Sequence, residues 1–83
     1  MEKYKLGVVT HYYDKIKVAI VDLTNSLAVG DQVRFVRGGE DLFIQTIDSI
    51  QIENEKVQIA KKGETVGIKT TEPIKEGAEI YKN

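Results

Sequence analysis

The chain has no cysteine among its 83 residues. Neither a disulfide framework nor thiolate chemistry is open to it. It has one histidine, His11. A His-rich metal site is therefore excluded, and three or four ligands could be gathered only from an unusual carboxylate cluster. No long apolar run occurs, whereas a bilayer-spanning helix needs about 18 or more such residues. The opening Met1-Glu2-Lys3-Tyr4-Lys5 is charged and lacks the apolar core of a signal peptide. A cytoplasmic location without membrane contact is the expectation. No G-x-x-x-x-G-K-[ST] loop is present to cradle phosphates, so neither nucleotide nor any other cofactor is expected. An excess of positive charge is also missing. Twelve basic residues face 13 acidic ones, a net charge of −1, whereas domains that grip nucleic acid by bulk charge are distinctly basic. Any such contact would have to come from a local patch.

What is present is a series of short β-prone runs separated by turn residues. The length suits one domain, residues 1–83, with a modest core and little material for a deep cleft. Lys5 to Tyr13 reads as a first strand, Asp14-Lys15 as a turn and Ile16 to Leu23 as a second strand. In that second run Ile16, Val18 and Ile20 share one side, and Lys17, Ala19 and Val21 the other. The latter is only partly polar, so both sides can be covered. Gln32 to Val36 follows, with Val33 and Phe35 inward, and Gly38-Gly39-Glu40-Asp41 is the plainest hairpin turn.

Leu42 to Glu53 has a phase problem. Phe43 and Ile47 fall on one face, Ile50 and Ile52 on the other. Period-two geometry forbids this without an extra residue, so a bulge or sharp bend is expected near Asp48-Ser49. Beyond the turn at Asn54-Glu55, Lys56 to Ala60 places Val57 and Ile59 inward; Val66 and Ile68 form another strand; Glu72-Pro73 stops ladder pairing; and Ala78 to Lys82 closes the chain. The sum is all-β, a sandwich or barrel. A closed barrel of six or seven strands is favoured, because closure removes exposed edges.

Candidate chemistry is sparse. His11 is the sole imidazole, but Thr10 beside it should face the opposite side of a strand, so no nucleophile is presented to it. Glu40-Asp41 and Glu53-Asn54-Glu55 sit at turns, where carboxylates are solvated. The most promising surface is His11-Tyr12-Tyr13 with Lys15 and Lys17, joined by Lys61 and Lys62 from a glycine turn. Tyrosines can stack on bases and lysines can meet phosphates; the plainer alternative is one tyrosine in the core and lysines that solubilise edges.

Five blocks in order carry a resemblance: Gly7 to Thr10, Leu27 to Val33, Ile47 to Gln51, Ala60 to Ile68 and Ile74 to Ile80. Together they resemble domain 2 of translational GTPases of the elongation factor Tu type, and most closely the short free-standing translation elongation factor-like proteins. A similar barrel occurs at the C-terminus of collagenase-like peptidases. The resemblance implies a non-catalytic β-barrel module that contacts RNA, the ribosome or another ribonucleoprotein through loops and the aromatic hairpin. Its alternative implication is a protein–protein or accessory domain working with a separate catalytic chain. The first hairpin departs from the Tu pattern, and the GTPase motifs are absent.

Overall fold

The computed structural model describes residues 5–83; the charged opening at Met1–Tyr4 lies outside them. The described chain forms ten strands: β1 (Lys5–Tyr13), β2 (Val18–Leu23), β3 (Leu27–Ala28), β4 (Gln32–Arg37), β5 (Glu40–Thr46), β6 (Ile50–Ile52), β7 (Glu55–Val57), β8 (Ile59–Ala60), β9 (Thr65–Lys69) and β10 (Glu79–Lys82). Among the described residues there is no helix. Eight strands make one antiparallel sheet in the order β5-β4-β10-β1-β2-β9-β6-β7, while β3 and β8 form a separate ribbon. The count exceeds the expected six or seven because Leu27–Ala28 adds β3, the bend at residues 47–49 divides the Leu42–Glu53 run into β5 and β6, and a bend at Gln58 divides the Lys56–Ala60 run into β7 and β8.

The expected closed barrel is not formed. The sheet ends at β5 and β7, which do not pair with each other. The reason lies in the bend between β5 and β6. There the Ile47 amide donates to Asp31 O and Ile47 O accepts from the Gly30 amide, both at 2.8 Å, so the backbone is spent on the 30–31 turn instead of a ladder. Near this point Gln45 spans the gap with its side chain. Its Nε2 donates to Lys69 O at 3.0 Å and its Oε1 accepts from the Thr71 amide at 2.9 Å.

The bend is where the phase conflict placed it. Gln45 and Ile47 are buried before it and Ile50 after it, so the inward phase changes from odd to even across residues 47–49. Two hairpins turn through paired positive-φ residues: Gly38 and Gly39 (61° and 83°) between β4 and β5, and Glu53 and Asn54 (50° and 68°) between β6 and β7. Such turns match the twist of the flanking strands.

The core is hydrocarbon from both halves of the sequence: Phe35, Leu27, Ile47, Ile50, Ile68 and Ile80 are all fully buried. Phe35 stacks on Phe43 with ring centroids 4.6 Å apart. In β2 the core side is Ala19, Val21 and Leu23. Ile59, expected inward, is 57% exposed. The pairing of β8 with β3 turns Ala60, not Ile59, inward.

Candidate functional site

The first hairpin determines what its side chains can reach. The β1–β2 register slips between Val9 and His11, leaving Thr10 as the extra residue of a bulge. The bulge turns His11 and Tyr13 outward together, with rings 4.4 Å apart and edge-to-face. Tyr12 goes inward, packed against the core, with its hydroxyl 3.4 Å from Thr70 Oγ1, which itself donates to Glu72 O at 2.8 Å. Tyr12 is thus a packing residue, and Tyr13, 49% exposed, is the free aromatic. His11 Nδ1 lies 3.0 Å from Glu76 Oε2. Thr10 Oγ1 instead donates to Ile20 O at 3.3 Å, so the pair is not a nucleophile and its base.

Lys15 and Lys17 are exposed in the turn at the start of β2. Lys17 holds a left-handed φ of 57°, and its carbonyl accepts from the Thr70 amide at 2.8 Å. Lys61 and Lys62 are exposed too, but elsewhere. Their turn is pinned to the far end of β2, where the Gly63 amide donates to Leu23 O at 3.0 Å. Six residues of strand, about 20 Å, separate the two pairs of lysines. The seven candidate residues therefore do not form one patch.

The structure assembles a different surface beside the hairpin. On the outer face of β2, β9 and β6 a cross-strand row runs Ile20–Gly67–Gln51. Gly67 has no side chain, so the row is depressed at its middle. Ile16 (59% exposed), Tyr13, Val18 and Ile20 give its apolar walls. Lys56 and Lys69 stand at one end, beside Ser49 and Gln51, and Glu53 at the other. Sequence reasoning missed this face. The available signal was Gly67 itself: with Val66 and Ile68 inward, alternation forces it outward.

Titration is perturbed at Glu79. The hydrogen bond from Lys5 Nζ (2.9 Å), then that from the Tyr81 hydroxyl (3.0 Å), hold its carboxyl below the usual range. This pairing braces β1 against β10. Among the described residues no group of three or more His, Cys, Asp or Glu side chains could hold a metal.

Residues 3–79 match the Peptidase family U32 C-terminal domain. The chain belongs to that family. An uncharacterized protease of Methanocaldococcus jannaschii is 34% identical over 79 residues, covering 95% of this chain but 19% of that protein. The chain thus spans about a fifth of the curated relative it matches. Two crystal structures of the C-terminal domain of a Geobacillus thermoleovorans protein assigned as a U32 peptidase share the fold, each at 24% identity. One, the selenomethionine variant, has a TM-score of 0.88 and covers 96% of this chain and all of its own. The other has a TM-score of 0.90 and covers all of this chain and 96% of its own.

Membership overturns the resemblance to translation factors, and with it the expectation of RNA or ribosome contact. Two of the blocks that carried the resemblance, Leu27 to Val33 and Ile74 to Ile80, are turn-then-strand units. Gly30 and Gly77 both turn with positive φ (97° and 90°) and lead into β4 and β10. Such units report how a small sheet folds, not what it binds.

Proposed function

We propose that this chain is a non-catalytic accessory domain that docks onto the catalytic part of a U32 peptidase. The observation that carries the proposal is the match of residues 3–79 to a domain defined as the C-terminal part of that peptidase family. The side chains support it. His11 is engaged by Glu76 and Tyr13, and its Thr10 neighbour bonds β2. The core side chains from Leu6 to Ile80 are buried in one apolar cluster. The exposed Tyr13 and Ile16 offer apolar contact to another protein.

The test is a binding titration by calorimetry between the purified chain and the catalytic part of a U32 peptidase, with a peptide-cleavage assay on the chain alone. Saturable binding and no cleavage are expected. Cleavage by the isolated chain, or no saturable binding at concentrations up to about 1 mM, a binding free energy of about −4 kcal/mol, refutes the proposal.

A further inference from the structure

We infer that the depression over Gly67 is a docking groove for an extended segment that places an apolar side chain beside a carboxylate, supplied by the catalytic part of the peptidase. The inference rests on the accessory-domain reading above and names the surface and the chemistry of its partner.

The shape comes first. A Cβ added at Gly67 would lie 3.3 Å from Val18 Cγ1 and 3.6 Å from Ile20 Cδ1. The two aliphatic side chains therefore lean over bare backbone from the β2 side. Among the described residues no other atom, its chain neighbours aside, comes within 4 Å of that point, so the depression opens away from β2. Ile16 and Tyr13 extend its walls, and both are exposed, at 59% and 49%. Apolar groups gathered around one slot on a small domain mark a surface that another chain covers.

Charge then selects the occupant. Lys56 and Lys69 line one end of the slot, and no carboxylate lines that end with them. Among the described residues the ion pairs go to Lys5, His11, Arg34 and Lys82; Lys56 and Lys69 make none. A ligand that fills the slot with an apolar side chain and presents a carboxylate toward these two ammonium groups satisfies both features. At the opposite end Glu53 repels a second carboxylate, which fixes the direction of the segment. Complementary charge of this kind selects partners and orients them.

The test uses the chain labelled with nitrogen-15 and two end-blocked peptides with one charge each, Asp-Ser-Leu-Ser-Ser and Lys-Ser-Leu-Ser-Ser, which put the charge and the leucine on the same face of an extended segment. The acidic peptide is expected to shift the amides of Ile20, Gln51, Gly67 and Lys69 saturably, and the basic peptide to leave them in place. Reversing the rim charges, Lys56→Glu with Lys69→Glu, is expected to weaken acidic-peptide binding about tenfold. Both lysines are exposed, so this variant keeps the fold. Gly67→Val, which fills the slot, is expected to weaken binding further. No saturable shift, shifts centred on another face, equal response to both peptides, or self-association of the chain through this face overturns the inference. Calorimetry with the catalytic part separates the two readings. If it binds wild type and the double charge variant equally, the groove is refuted and docking stands. If it does not bind wild type, docking falls and takes the named source of the segment with it.

Discussion

Gly7 and Gly67 are both strand glycines, yet the surroundings predict opposite responses to a methyl group. At Gly7 an added Cβ would sit 2.6 Å from Asp22 O and 2.8 Å from Val21 Cγ1. The first obstacle is backbone, in the strand paired with β1 through Gly7–Leu23 and Val8–Asp22. It cannot rotate away, so β1 and β2 must separate at the centre of the sheet. Overpacking of this kind costs about 1–3 kcal/mol, and a rigid obstacle places Gly7→Ala in the upper half of that range. For a domain of this size 1 kcal/mol moves the midpoint by about 4–8 °C, so a fall of roughly 10–20 °C is expected. At Gly67 the nearest atoms are the ends of two side chains at 3.3 and 3.6 Å, which can give. Replacing glycine in a strand also recovers about 0.5–1 kcal/mol of backbone entropy. Gly67→Ala should therefore be neutral to mildly stabilising. Paired thermal and urea melts of the two variants decide the matter. A Gly7→Ala midpoint within 3 °C of wild type, or a Gly67→Ala variant the less stable of the two, refutes the steric reasoning.

Three further outcomes are expected. Gln45→Leu strips the side chain that joins β5 to Lys69 O and the Thr71 amide; two hydrogen bonds to the backbone of exposed residues are lost, at about 0.5–1.5 kcal/mol each, and urea melts should show a loss of roughly 1–3 kcal/mol. Glu53→Gly relieves a left-handed φ of 50° at a non-glycine residue and should stabilise by about 0.5–1 kcal/mol, read as a raised urea midpoint. The folded-state pKa of Glu79 is depressed, chiefly by Lys5. Its contribution is therefore present above the ordinary carboxylate value of 4.5 and is lost as pH falls through the lowered one. The Glu79 side chain is 35% exposed, so Lys5→Met should cost no more than about 1 kcal/mol at pH 7; urea midpoints should show the difference from wild type shrinking at pH 3.

Much of the strand plan could be read directly from residue spacing. Lys5 to Tyr13 is strand β1 as expected, and Val33 with Phe35, and Val66 with Ile68, face inward. The bend at residues 47–49 followed from a parity conflict, which is a strong signal because one residue of slip inverts every later side chain. Closure was not legible. Whether a sheet end finds a ladder partner depends on where backbone groups such as those of Ile47 are spent, and the bond to the 30–31 turn is a contact between distant segments. The site failed for a related reason. His11, Tyr12 and Tyr13 are adjacent in sequence, but the bulge at Thr10 sends Tyr12 to the core; Lys61 and Lys62 lie at the opposite end of β2 from Lys17. Ile20, Gly67 and Gln51, by contrast, are neighbours only through strand pairing. Composition, with one imidazole and no thiol, narrowed the chemistry open to the chain. The turn-and-strand blocks nevertheless pointed to the wrong family, because many small sheets share them.

Docking through the outer face of β2 and β9 is tested most directly by titrating nitrogen-15-labelled chain with the unlabelled catalytic part of a U32 peptidase. Loss or displacement of the Ile20, Gly67 and Lys69 amide signals near equimolar addition, with those of the β5 margin around Ile44 unchanged, is the expected outcome. An unaltered spectrum, or changes confined to β5, would contradict it.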